Sequence, residues 1–562
     1  MDIKGVWKHP IGRRVLSALF ATGLILLGSS VPALSAGSQD APGEVQDTAG
    51  EVLDGPGEIQ DTAEDVTFTI DQFMVRGNTL LPDSVVKATL HPFIGAGKTA
   101  DDVERAQVTL EEKYHDSGYP AVLVNIPRQS IKEGVVRLEV IESKIAAVKI
   151  VGNKYFTAKN IMSKLRSLKS GKVLFLPDVQ KDLARVNANA DMSVVPALAQ
   201  GAELGETDVK LAVEDRLPLH ASLEINNRSS HNTEELRLNA IIRYDNLWQA
   251  NHSISFQYQT APESVDQVQV FAGSYVMPSP WNENQTAVFY IIHSDSKSAV
   301  GEGFQTVGEG DMYGFRYIMP LPSYEGYNHN VTLGFDYKDF QENLSIDDEE
   351  AVYTPVSYFP AIFSYSGSMR DDWGLTQVSA ELNLSFRGLV SDRAEFETKR
   401  YRARGNYTYG AVGLERTVEI CDELKLFAKV DGQISDQPLV DNEQYSAGGM
   451  ENVRGYHESE ALGDNAIHGT LELHLPDLAG YVVKDKGYEF KPYLFSDFAR
   501  LWIEDPLPDQ TDNFTLAGAG VGVRGRLTPY LEYELDWAYV LKATSRTDKG
   551  DQRVHFKVKT QM

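Results

Sequence analysis

Hydrophobic and polar positions change rhythm along this chain. Between residues 67 and 217 apolar residues recur with both helical and strand spacing, and from about residue 218 the helical spacing disappears. In the later stretch Leu236, Leu238, Ala240, Ile242 and Tyr244 share one face, with Arg237, Asn239 and Arg243 opposite. Val378, Ala380, Leu382, Leu384 and Phe386 alternate with Gln377, Ser379, Glu381, Asn383, Ser385 and Arg387. Tyr401, Ala403 and Gly405 alternate with Arg400, Arg402 and Arg404, and Leu531, Tyr533, Leu535 and Trp537 with Glu532, Glu534 and Asp536. Sixteen such strands are counted, about twenty residues apart and separated by Gly, Pro, Asn and Asp. A soluble sandwich also alternates, but its polar face is outer solvent and it seldom needs so many long strands. An apolar face opposite a charged one suits a lipid-exposed wall around an aqueous lumen, so residues 218–562 are expected to form a 16-stranded antiparallel transmembrane β-barrel. Leu247–Asn251 is a short turn; 341–356, 436–465 and 503–514 are long loops; Arg553–Val558 is a closing strand.

The stretch before it predicts two small α+β units. In the first, Phe68–Val75 is a strand that ends in Gly77-Asn78, and Ala100–Ser117 is a helix with Val103, Ala106, Leu110 and Tyr114 on one face. Strands Ala121–Ile126 and Val135–Ile141 close it. In the second, Ile145–Val151 leads to Gly152-Asn153, 75 residues after the first Gly-Asn pair. Helices carrying Ile161 and Leu165, then Val179, Leu183 and Val186, precede strands Met192–Leu198 and Val209–Val213. The recurring β-α-α-β-β order is an internal repeat. An exposed strand edge in either unit can pair with an incoming extended peptide.

The N-terminus adds a compartment. Lys4, Lys8, Arg13 and Arg14 precede the apolar run Val15–Leu27 and small-residue cleavage sites near Ala33 and Ala36, so residues 1–36 are expected to be a secretory signal peptide. Residues 37–66 hold an acidic repeat, Pro42–Ala49 and Pro56–Ala63, expected to be a disordered linker or a segment that plugs a pore. The expected domains are then 1–36, 37–66, 67–142, 143–217 and 218–562. A formal charge of −27 argues against a nucleic-acid partner, and the single cysteine, Cys421, excludes an intrachain disulfide.

Motifs for catalysis or cofactors fail one by one. Gly95-Ala96-Gly97-Lys98-Thr99 resembles the end of a phosphate loop, but Pro92 stands where the first glycine is required. Gly520-Val521-Gly522-Val523-Arg524-Gly525 fits GxGxxG, yet Pro529 and a strand follow instead of a helix. Gly518, Gly520 and Gly522 at period two instead clear space on one barrel face, which can accept a loop folded into the lumen. Twelve scattered histidines, His468 and His474 among them, show no metal or hydrolase spacing. The expectation is no enzyme, no catalytic residue, no cofactor and no metal.

Two further motifs remain. Val453-Arg454-Gly455-Tyr456 lies in a glycine-rich loop, and Phe495-Ser496-Asp497-Phe498-Ala499 lies in a strand. By alternation Tyr493, Phe495, Asp497 and Ala499 share a face, which the charge of Asp497 assigns to the lumen. Guanidinium and carboxylate can pair bidentately and fix a loop inside a barrel. That points to a gated pore.

Together these features resemble the TpsB family of outer-membrane transporters of two-partner secretion, of the hemolysin- and filamentous-hemagglutinin-transporter type. The resemblance spans about residues 67–562, and the α+β units are similar to POTRA domains. The Val-Arg-Gly-Tyr motif is shared with the wider superfamily that assembles outer-membrane proteins. The resemblance implies that Arg454 is the tip of the sixth extracellular loop and that Asp497 is its partner on the strand marked Phe-x-Asp-x-Gly. Ala499 replaces that glycine, and the chain ends Phe556–Met562 without the usual terminal aromatic, which bears on recognition by the barrel assembly machinery. It further implies an outer membrane of a Gram-negative bacterium, POTRA domains in the periplasm, contact with outer-membrane lipid, and a secreted exoprotein captured by the POTRA domains. An assembly factor that inserts other barrels is the alternative, and a passive porin is a third reading.

Overall fold

The structure is a computed structural model describing residues 67–562 apart from 132, 232, 297–308, 345–351, 387, 391–392, 422, 483–486 and 509. The expected signal peptide and acidic repeat lie outside the described residues. The chain divides into two compact units, with the change between Leu217 and Pro218.

The N-terminal unit holds two three-stranded sheets of identical order. In the first, Gln72–Arg76 runs parallel to Val135–Glu142, which pairs antiparallel with Val122–Asn125. In the second, Lys144–Val151 runs parallel to Glu206–Asp215, which pairs antiparallel with Met192–Gln200. The repeat extends to its turns. Gly77 and Gly152 both have positive φ, and a Cβ there would meet the carbonyl oxygens of Val140 and Val213 at 2.2 and 2.3 Å. Asn78 donates to Leu81 O and Asn153 to Phe156 O, each at 2.9 Å. The carboxylates of Glu142 and Asp215 accept from the backbone N–H groups just after each Gly-Asn pair.

Helix Ala100–Asp116 starts where Asp102 accepts from the Thr99 backbone N–H, and it buries Val103, Ala106, Leu110 and Tyr114. Two expectations change in this first repeat. Phe68–Val75 is two strands, Phe68–Ile70 and Gln72–Arg76, because Asp71 donates to Gly134 O and the chain changes sheets there. Phe68–Ile70 instead pairs with Gly95–Lys98, so the glycine-rich segment is a short strand. Helix Asp83–Leu90, with only Val86 and Leu90 buried, also lies in this repeat and was not among the expected elements.

The C-terminal unit is a closed antiparallel barrel. Val352–Tyr358 and Pro360–Asp371 are one barrel strand broken at Phe359, since both halves pair with the same neighbour, Tyr327–Leu344. Counted so, the wall has sixteen strands in sequence order, from Leu219–Asn226 to Gln552–Gln561, and these two pair to close it. Ile242, Leu382, Leu535 and Trp537 point outward and Arg237, Asn383 and Asp536 inward, where they are buried. The alternation of residues 400–405 is no strand: helix Arg393–Lys399 precedes them, Arg402 has positive φ, and the next strand begins at Thr408. Arg400 is turned instead toward another loop. Loop 341–356 also shortens, because strands continue to Leu344 and resume at Val352.

Candidate functional site

Most long connections gather at one barrel end and, apart from 475–490, short turns at the other, so 386–407, 436–464 and 503–512 form the outer face. Connection 436–464 folds inward. It forms a hairpin of Tyr445–Ala447 with Ala461–Gly463, and its tip carries Val453, Arg454, Gly455 and Tyr456, all buried. Gly455 has φ +103°, a conformation that lets the tip reverse against Val540.

The tip meets strand Lys491–Trp502, whose inward face presents Tyr493, Phe495, Asp497 and Ala499. Arg454 and Asp497 are 4% and 1% exposed. Arg454 Nε donates to Asp497 Oδ2 at 2.7 Å, Nη2 to Oδ1 at 2.8 Å, and the Arg454 backbone N–H to Oδ2 at 3.1 Å. Its Nη1 donates to Glu472 Oε1 at 2.7 Å and lies 3.5 Å from Asp536 Oδ2. The guanidinium sits 3.6 Å from the centre of the Phe495 ring. One loop cation therefore faces three wall carboxylates in a desolvated pocket, where removing one partner of such a pair costs about 3–5 kcal/mol.

The wall is shaped for the tip. A Cβ on Gly518 would lie 2.1 Å from Arg454 O, so the absence of a side chain there admits the loop backbone. Tyr456 donates to Lys542 O at 2.6 Å and accepts from Ala517 N at 3.1 Å. Ala499 is fully buried in an apolar cluster with Val453, Tyr456, Leu501, Leu516 and Val540, so a methyl group is accommodated where the family pattern has glycine. His468 bonds Asp431, and His474 bonds Glu472.

Three contributors escaped the motif reading: Glu472, Tyr493 as a partner, and His555. Glu472 lies with Thr470 and His474 on one face of strand Asn465–His474, a period-two signal of the kind that assigned Asp497 to the lumen. Tyr493 donates to Asp536, and Arg524 stacks over its ring. His555 accepts from Gly455 N at 3.0 Å.

The base of the same loop has its own ion pair. Arg400, just after helix Arg393–Lys399, donates to both oxygens of Asp464 at 2.6 and 2.5 Å. Asp464 also accepts from Leu439 N, Gln444 Nε2 and Glu504 N. Glu443 accepts from Lys338, Tyr358 and Tyr409. Phe396, Ala403 and Tyr407 of connection 386–407 pack with Leu439, Val440 and Tyr358. Two loops thus fill the outer part of the lumen.

Paired α+β units before a sixteen-strand barrel with an inward loop define the class of outer-membrane POTRA-barrel proteins. The family described as haemolysin secretion/activation protein ShlB/FhaC/HecB matches residues 205–525, and the POTRA domain of ShlB type matches residues 68–143. The chain belongs to the ShlB/FhaC/HecB family. It is 20% identical over 434 residues to the outer membrane transporter CdiB of Dickeya dadantii (strain 3937), covering 72% of each chain. It is 22% identical over 422 residues to CdiB-2 of Burkholderia pseudomallei (strain 1026b), covering 73% of this chain and 69% of that one. Among solved structures, CdiB from Escherichia coli has a TM-score of 0.59 at 17% identity, covering 90% of this chain and 93% of that one. BamA from Haemophilus ducreyi lacking POTRA domains 1–3 has a TM-score of 0.55 at 15% identity, covering 88% and 100%. These two show a shared fold. The protein is an outer-membrane transporter of the two-partner secretion type, with its POTRA domains in the periplasm, and transporters of this family work with a secreted partner exoprotein.

Proposed function

We propose that this transporter exports one large unfolded exoprotein, of the hemolysin, hemagglutinin or adhesin kind, and that loop 436–464 gates its passage. The observation that carries the reading is the Arg454 tip, bound inside the lumen to Asp497 and Glu472. In the docked state the loop occupies the path of a client; moving it outward frees that path. The pairing suits a reversible lock, because the carboxylates stay in the wall while the cation leaves with the loop.

Capture begins at a sheet edge. Strand Met192–Gln200 is bonded on one side only in its sheet. It carries the uncharged run Val195-Pro196-Ala197-Leu198-Ala199, with Val195 61% exposed. Edges are ordinarily protected by charge or proline; this one carries no charge and Pro196 removes a single donor, so its other positions suit pairing with an extended client segment. Folding of the exported chain outside then draws the rest through. The barrel assembly machinery would place the apolar wall in outer-membrane lipid.

Gene deletion followed by proteomics of the medium and the outer membrane tests the function. Loss of one large protein from the medium is expected and names the client. Loss of many barrels from the membrane would instead identify an assembly factor, a reading to which the BamA fold likeness gives some weight.

A further inference from the structure

The first and last barrel strands meet over a short ladder. Ser222–Asn226 pairs with Lys557–Gln561, whereas the last strand pairs with its other neighbour over Gln552–Thr560. The outer half of the last strand, Gln552–Phe556, therefore extends past the ladder with the first strand. Asn227 continues the seam by one step with its side chain, donating to Val554 O at 2.7 Å and accepting from Phe556 N at 2.8 Å.

Beyond that step, loop 436–464 takes the place of the missing strand. On one lip, Ser229 O accepts from Glu458 N at 3.0 Å and lies 3.2 Å from His457 Nδ1. On the other lip, Arg553 Nη1 lies 2.7 Å from His457 Nε2, and His555 Nε2 accepts from Gly455 N. Arginine only donates, so His457 Nε2 must be the acceptor. The proton then sits on Nδ1 and is donated to Ser229 O. One neutral imidazole thus bridges the two lips of the seam. Arg553 also donates to Ser229 Oγ at 3.3 Å, directly across the gap. His231, two residues beyond Ser229, packs against His457 with ring centres 4.1 Å apart and the planes tilted by 42°.

We infer that His457 is a positioning residue that staples the barrel seam, so that departure of the loop tip from the lumen also loosens the outer halves of the first and last strands. The inference rests on the loop being the moving part. His457 lies three residues from Arg454, so an outward move of the tip breaks the bonds at Arg454 and those of the staple together. The barrel closes its outer seam with a piece of its own gate. A client that displaces the gate meets a wall able to widen at that line.

The test is amide hydrogen exchange on the full-length transporter in lipid, read on peptides covering 222–229, 552–558 and 493–499. His457→Ala is expected to speed exchange in the first two by about tenfold, the loss of one charge-assisted hydrogen bond, and to leave the third unchanged. His457→Gln, whose amide offers both a donor and an acceptor, is expected to restore protection. Arg454→Ala is expected to speed all three. Unchanged seam exchange in His457→Ala, or seam protection retained in Arg454→Ala, overturns the inference. If His457→Ala fails to assemble, Arg553→Gln removes the other half of the bridge and is judged by the same peptides. Secretion by Arg454→Ala is assayed separately: normal secretion would end the gating proposal while leaving the seam result to stand or fall by itself.

Discussion

Besides its contacts at the seam, loop 436–464 is held by buried ion pairs at its tip and at its base, the same chemistry with different partners. At the tip the cation belongs to the loop and the carboxylates to the wall: Arg454 against Asp497, Glu472 and Asp536. In the Arg400–Asp464 pair at the base both partners lie in connections, Arg400 in 386–407 and Asp464 at the loop's own end. Glu443 beside it is tied instead to the wall through Lys338. Asp464 also accepts from Leu439 and Gln444 of its own loop and from Glu504 of connection 503–512. A tip bond breaks when the loop moves relative to the wall. The Arg400–Asp464 bond breaks only when the two connections separate from each other. The difference teaches that a buried ion pair is a lock or a rivet according to what its two halves are attached to.

The largest effect is expected from breaking the rivet. Asp464→Ala strands Arg400 and three backbone or amide donors in a dry site, at a cost of about 5 kcal/mol or more. The expected outcome is a lower yield of heat-modifiable barrel and protease cleavage within 386–407. A fully assembled, protease-resistant variant would show the base to be as dispensable as a surface pair.

Breaking the lock should behave otherwise. Arg454→Ala removes the cation from three wall carboxylates and is expected to destabilise the docked loop by about 3–5 kcal/mol. The barrel is expected to assemble normally while secretion falls and bilayer recordings show more open-channel current. Arg454→Lys keeps the charge but cannot engage Asp497 with two parallel bonds and Glu472 with a third, so it is expected to fall between the two. Normal secretion by both Arg454→Ala and Asp497→Ala would remove the lock from the mechanism.

A smaller effect is expected where the wall alone is changed. Gly518→Ala puts a Cβ 2.1 Å from Arg454 O, a clash with backbone that no side-chain rotation relieves. Overpacking of this kind costs about 1–3 kcal/mol. It lifts the tip without touching a charge, so its open-channel current should rise while the base stays protease-resistant. Cleavage within 386–407 in this variant would mean that tip and base are coupled, and the comparison would lose its sharpness.

The Arg454–Asp497 pair was readable from sequence and the Arg400–Asp464 pair was not, for a physical reason. Asp497 sits in a long alternating strand, so period two alone assigns its face, and Gly518, Gly520 and Gly522 mark the space opposite. The sixteen strands were legible in the same way, because lipid on one side and charge on the other impose a strict alternation. Arg400 shows the limit. Its neighbours Arg402 and Arg404 mimic a charged strand face, yet the chain there is a turn after a seven-residue helix. Local pattern carries no information about a partner such as Asp464, which is fixed by loop packing alone. Helix Asp83–Leu90 went unread although Val86 and Leu90 stand four apart, as Ile161 and Leu165 do in the second repeat, so the repeat itself was the signal that could have found it.

The smallest expected effect tests how closely the tip is fitted. Ala499 carries a methyl group that is wholly buried between Val453 and Tyr456 of the loop and Leu501 and Leu516 of the wall. Ala499→Gly returns the residue of the family pattern, loses roughly 0.8 kcal/mol of methyl burial and adds about 0.5–1 kcal/mol of backbone freedom in a strand. Docking of the tip should weaken by at most about 0.8 kcal/mol, with the Arg454 bonds intact, because the added backbone freedom acts on the wall whether or not the loop is docked. The open-channel current should therefore rise less than in Arg454→Ala, and Ala499→Gly combined with Arg454→Ala should add little, since a tip already released has no methyl contact left to lose. Full additivity would mean that Ala499 stabilises the wall rather than the docked loop, and the fit of the tip would then reside in the charges alone.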